Sequence, residues 1–195
     1  QQQNNARFQE LSHHFISILD SLQRLHPGDP APLSLIPKTA RPRPSNSPLI
    51  GRDNDLAWLC QTAADRLLIG QPGFGKTSLL FQLAIRENGY FAVSTDRGEI
   101  GAALINKTPS VVIVDDAHRI PDFLLHLRQL RDKLRTKFDI EFDIVASTWP
   151  SSSEIVAENL NVGLSKQHEL ALLTRDEIVA VVKGAGLLGP DQLIR

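Results

Sequence analysis

The chain has 195 residues, is 42% hydrophobic and 22% charged, and carries a formal net charge of −1. That is enough for one α/β domain with a real core plus appendages, without general attraction to nucleic acid or an anionic membrane. One cysteine, Cys60, excludes an internal disulfide, no Cys/His spacing suggests zinc, and no apolar run approaches the roughly 18 residues of a membrane span.

No signal peptide is visible, so a cytoplasmic location is expected. Met is absent, the chain opens Gln1-Gln2-Gln3, and it closes on Gln192-Leu193-Ile194-Arg195 in helical-looking sequence. A piece of a longer protein is the expectation.

Residues 8–25 place Phe8, Leu11, Phe15, Ile18 or Leu19, Leu22 and Leu25 at three- and four-residue steps, which predicts an amphipathic helix. Its stripe docks on the main domain or pairs with a helix elsewhere. His13 and His14 are adjacent, point to different faces and make no metal site. Seven prolines between Pro27 and Pro48 predict an extended tether. Residues 1–46 are therefore read as helix and linker, 47–173 as the core, and 174–195 as the start of a further unit.

Asp53 is placed to cap a helix with Leu56, Leu59 and Cys60 on one face. Cys60 reads as buried core. Residues 65–69 then form a first strand, ending in Leu67-Leu68-Ile69. Gly70-Gln71-Pro72-Gly73-Phe74-Gly75-Lys76-Thr77 follows, and Ser78 leads on into a helix through Arg86. This is the pattern G-x-x-x-x-G-K-[ST] in the strand, loop, helix setting that it needs. Glycines let the backbone turn so that N–H groups face inward as an anion nest, reinforced by the positive end of the helix. Lys76 is suited to the β- and γ-phosphates of a nucleotide and Thr77 to Mg²⁺. A chance match in a chain this long is an event of about one per cent or less at average residue usage.

Residues 90–94 read as a second strand and 99–105 as a short helix. Val111-Val112-Ile113-Val114-Asp115-Asp116 is a continuous apolar run ending in two carboxylates, as expected of a central parallel strand whose C-terminal end faces ligand. Asp115 is expected to hold the Mg²⁺ water shell and Asp116 to polarise the attacking water. His118 reads as a hydrogen-bonding loop residue. Residues 121–138 predict a helix burying Phe123, Leu127, Leu130, Leu134 and Phe138. Its Arg128, Arg131 and Arg135 share an outer face, plainly read as solvated; a partner or DNA contact is the sharper alternative. Residues 142–148 form a fourth strand ending in Ser147 and Thr148, candidates to sense the γ-phosphate. A helix over 153–160 and a last strand over 167–172 follow. Thr174-Arg175-Asp176-Glu177 has the look of a capping box and opens a helix through Lys183, before Gly184, Gly186, Gly189 and Pro190 break it.

Gly51-Arg52 in its apolar frame, the phosphate loop, and Val111 to Asp116 together resemble the signal-transduction ATPases with numerous domains (STAND). These lie within the AAA+-related group of P-loop ATPases. The resemblance covers about residues 48–195, and Asp115-Asp116 favours the signalling branch, since AAA+ machines usually carry Asp-Glu there. It implies a three-layer α/β parallel-sheet P-loop NTPase core, with the N-terminal helix before it and the start of a C-terminal helical lid after it. It places the strand of Asp115 beside the phosphate-loop strand and adenine against Leu49, Ile50 and Gly51, with Arg52 in the same site. ATP or ADP and Mg²⁺ are the implied cofactors, and a nucleotide-dependent homo-oligomer the implied partner state. Trp149-Pro150 stands where many relatives have Arg after the polar pair, and Gly189-Pro190 resembles the family's Gly-x-Pro lid motif without its spacer. The expected function is a slow Mg-ATP hydrolysing switch. The rivals are a remodelling or transposition-type motor, and a binding module without turnover.

Overall fold

The structure is a computed structural model that describes residues 49–61, 63–93 and 95–184. The expected N-terminal helix, the proline-rich tether and the last glycines lie outside the described residues. Helix α1 (Asp53–Gln61) leads into strand β1 (Arg66–Ile69), and α2 (Lys76–Arg86) follows the phosphate loop. Then come β2 (Gly89–Phe91), α3 (Arg97–Lys107), β3 (Val111–Val114), α4 (Pro121–Phe138), β4 (Asp143–Thr148), α5 (Ser153–Leu160), β5 (Gln167–Glu169) and α6 (Arg175–Gly184).

All five strands pair in parallel, in the order β2-β3-β4-β1-β5. After β1 the chain runs out to the edge at β2, returns through β3, and closes the gap with β4. The strand of Asp115 is therefore not beside the phosphate-loop strand, as the resemblance implied: β4 lies between them. That insertion sets Ser147 and Thr148 between the loop and the carboxylates.

Successive strand residues face opposite sides. Leu67, Val112, Val114, Ile144 and Ala146 join α3, α4 and α5 in one buried cluster. Leu68, Val111, Ile113 and Val145 join α1 and α2 in the other. This makes a three-layer α/β/α unit whose central strands are covered on both faces, as β1 and β3 are buried throughout. Each fully buried Leu or Ile contributes about 1.5–3 kcal/mol.

Several expectations shift in detail. Strands β2 and β5 are shorter than read. Asp53 is the first residue of α1 rather than its cap. Cys60 is half-buried, packed against the α1/α2 cluster. On α4, Leu124 is fully buried and Phe138 is 45% exposed, because the helix ends there and leaves the core. Arg128 and Arg131 are not solvated: Arg128 donates to the Asn159 carbonyl at 3.2 Å, and Arg131 forks onto Asp65. Arg135 stays exposed and pairs with Glu141. The capping box of α6 forms as expected, with Glu177 Oε2 accepting from the Thr174 N–H at 2.7 Å and hydroxyl at 2.8 Å. Among the described residues, no helix is long and apolar enough to cross a membrane.

Candidate nucleotide-binding site

The loop between β1 and α2 is anchored at its start by the Gly70 N–H, which donates to the Thr148 carbonyl at 3.1 Å. Gly73 and Gly75 hold φ of +83° and +86°, a conformation that side chains resist. A Cβ built on either meets nothing within 4 Å, so the left-handed backbone, and not crowding, is what calls for glycine there. Gly75 stands immediately before the first turn of α2, whose N–H groups have no partner within the helix. Gln71 and Pro72 are exposed, Ser78 is half-buried on α2, and Phe74 is half-buried against the α1/α2 cluster.

Lys76 lies inside this curve. Its ammonium donates to the Gly70 carbonyl at 2.7 Å and the Gln71 carbonyl at 3.0 Å, and the residue is only 6% exposed. Burial lowers its pKa from the ordinary lysine value, opposed by the nearby charges of Asp116 and then Asp115. An ammonium among carbonyls, desolvated and with carboxylates near, is suited to exchange those acceptors for phosphate oxygens.

The carboxylates stand just past β3. Asp115 accepts from the Thr77 hydroxyl on Oδ2 at 2.8 Å, and from the Ser147 hydroxyl on Oδ1 at 2.5 Å. Ser147 Oγ in turn accepts the Asp116 N–H at 3.0 Å, and Asp115 Oδ1 lies 3.1 Å from the same nitrogen. Three segments far apart in the chain thus close into one polar unit. Asp116 sits at φ 53°, ψ 43°, in a left-handed region that Asp tolerates better than most residues. Its twice-accepted N–H holds it there. The Asp115 carboxylate and the Thr77 hydroxyl are hard oxygen donors on the open side of the loop, and so fit Mg²⁺.

Ser147 is fully buried and occupied by the two aspartates. Thr148 Oγ1 is buried without a hydrogen-bond partner among the described residues. His118, expected to hydrogen-bond, leaves its buried Nδ1 without a partner among the described residues, and packs its ring 4.4 Å from that of Trp149.

Just before α1, Leu49 and Ile50 are half-buried, and Gly51 holds φ +70°. Arg52 is 5% exposed and turns inward, donating to Asp55 at 3.0 Å and to the Phe74 carbonyl of the loop at 3.1 Å. Sequence reasoning missed Asp55 and His168. Asp55 Oδ1 lies 2.6 Å from His168 Nε2, and the His168 ring stacks on Trp58 at 4.8 Å. The i, i+3 spacing of Arg52 and Asp55 was a readable signal for that pair; nothing local pointed to His168 on β5.

No protein-family model matches the chain, and no curated protein sequence matches it. Solved structures do. The chain is similar to Hsp104 of S. cerevisiae in its ADP complex, with a TM-score of 0.53 and 16% identity over 71% of this chain and 24% of that one. It is more loosely similar to Cdc6p of Pyrobaculum aerophilum, with a TM-score of 0.47 and 16% identity over 77% and 52% of the two chains. The chain thus spans about a quarter of the first and half of the second. At this identity the Hsp104 likeness speaks for the fold alone, a parallel five-stranded sheet flanked by helices.

Proposed function

We propose that the chain is a Mg-ATP-binding, slowly hydrolysing module of a larger switch protein. One observation carries the reading: the Thr77 hydroxyl of the loop meets the Asp115 carboxylate at 2.8 Å across 38 residues of sequence. A glycine turn with no function has no reason to assemble a cation donor set beside an ammonium-bearing anion nest. That Hsp104, of like fold, is seen with ADP supports the ligand class.

In this reading the first-turn amides of α2, the glycine amides before them and the Lys76 ammonium bind the phosphates, and Leu49, Ile50 and Gly51 flank the base. Thr77 and Asp115 would hold Mg²⁺, which supplies charge neutralisation at the phosphate oxygens when bound. Asp116 orients and polarises water, and Ser147 keeps the two aspartates in register. Thr148, buried and unpartnered at the end of β4, is the sensing group. Lys76 is the cation that its contacts place inside the loop. Fast phosphoryl transfer needs a further cation, worth on the order of 10³–10⁵ in rate, so the isolated chain turns over slowly. Nucleotide-dependent association in the cytoplasm and a STAND-type signalling role complete the proposal.

The test is calorimetry with Mg-ATP beside a phosphate-release assay on monomer. The expected result is binding with turnover well under about 1 per second. Asp116→Asn should keep ATP bound and slow hydrolysis by on the order of 10²-fold. Absence of binding sinks the reading; fast monomer turnover sinks the switch.

A further inference from the structure

We propose that Arg52 is a positioning residue for phosphate binding, and that Glu177 of α6 acts on it from the lid side through Gly51. The proposal rests on the nucleotide reading of the loop. Its first support is where Arg52 directs its bonds. A guanidinium that is 5% exposed needs acceptors within the chain. One of the two that it takes is the Phe74 carbonyl, in the middle of the loop. A carbonyl held by a guanidinium is not free to turn toward an anion among the loop's N–H groups. Asp55 anchors the same guanidinium to α1, and is itself fixed by His168 of β5, whose ring rests on Trp58. The loop is braced through Arg52 against two elements that do not touch phosphate.

The second support is the seat of the lid helix. A Cβ at Gly51 would lie 2.4 Å from Glu177 Oε1, 2.5 Å from Cδ and 2.9 Å from Cγ. The end of a glutamate can usually swing away. Here its other oxygen is held by the Thr174 N–H and hydroxyl, so moving it opens the capping box of α6. Gly51 is therefore glycine for two reasons, its φ of +70° and the carboxylate resting on it. Thr174 holds the Glu177 carboxyl below the ordinary glutamate range, and the charge of Arg52 lowers it further, as expected of neighbours at one corner. Loosening α6 withdraws Glu177 from Gly51, next to the residue that holds the loop.

Hydrogen exchange on the whole chain tests this, with and without Mg-ATP, together with titration by inorganic tripolyphosphate. Arg52→Lys keeps a charge for Asp55 and cannot fork to Phe74. The expected result is a melting temperature near wild type, with the hydrogen-bonded loop amides of Gly70 and Phe74 exchanging about fivefold to tenfold faster. Tripolyphosphate and Mg-ATP affinity should fall by a similar factor. A merely structural role predicts the reverse, a lower melting temperature with the loop no faster than the rest of the core. Should Arg52→Lys not fold, Asp55→Asn gives the same readout. Glu177→Ala should speed exchange in α6 and, by a smaller factor, in the loop; Gly51→Ala should do the same, with less added effect in the Glu177→Ala background. Loop exchange within twofold of wild type in Arg52→Lys overturns the proposal, and an unmoved loop in Glu177→Ala overturns its lid half. Wild type that binds neither ATP nor tripolyphosphate, with a loop still loosened by Arg52→Lys, would sink the nucleotide reading while leaving the brace.

Discussion

The two ends of the sheet are built from the same residue types and use them in opposite ways. At the N-terminal ends of β1 and β4, each acid faces a cation. Asp65 takes both arms of Arg131 and also the Ile144 N–H, while Arg66 reaches Asp143 at 3.4 Å and the Ala64 carbonyl at 2.7 Å. Arg131 is pushed up chiefly by its bonds to Asp65, whereas burial lowers Arg66 and raises Asp143. At the C-terminal ends of β1, β3 and β4, Asp115 faces two hydroxyls and an amide, and the lysine faces carbonyls. Charge matched by charge fastens the fold. Charge matched by neutral dipoles keeps its field available for a ligand of the opposite sign.

The comparison breaks most readily at Lys76. Lys76→Ala should cost at least about a hundredfold in Mg-ATP affinity, about 2.7 kcal/mol, with the melting temperature little changed. Unaltered affinity in a calorimetric titration contradicts the assignment of that end.

Arg131→Leu tests the other end. It leaves Asp65 without its cation in a largely buried place, side chain 14% exposed. The expected loss is about 2–3 kcal/mol of stability, a fall of roughly 4–12 °C in melting temperature, with ATP affinity intact. A fall in affinity as large as that of Lys76→Ala would mean that the two ends do not divide the work.

Ser147→Ala probes the C-terminal end more finely. It removes the hydroxyl that joins Asp115 to Asp116 and should lower turnover about tenfold while changing affinity less than about threefold. Steady-state phosphate release with unchanged kcat would show that the aspartates hold themselves.

The smallest effect is in pH. Glu177 has a folded pKa below its ordinary value, so its contribution is complete above about 4.5, the unfolded value, and is lost as pH falls through the lower folded value. Exchange at the start of α6 should therefore quicken below about pH 4.5 in wild type and show no such step in Glu177→Gln. A step of equal size in both removes Glu177 as its source.

The strand, loop and helix around residues 70–77 were legible because their pattern is local: eight consecutive residues state the turn. The apolar runs gave the strands for the same reason, and α4 and α5 fall on the expected residues. What periodicity does not carry is which strands are neighbours. Nothing in Val111 to Asp116 says that β4 slips between it and β1, and so nothing foretold that Ser147 bridges the aspartates. Arg131 was misread because a helical face is legible but the Asp65 brought to it is not. Glu177 was legible as half of a capping box, which spans four residues, and illegible as the seat on Gly51, which only the fold creates.

The central claim is that residues 70–77, with Asp115, form one Mg-nucleotide site. Hydrogen exchange of wild type, with and without Mg-ATP, tests it most directly. The account predicts protection concentrated in 70–78 and around Asp115 and Asp116, dependent on Mg²⁺ and absent in Lys76→Ala. Protection confined to other segments, or none at saturating ATP, would contradict it.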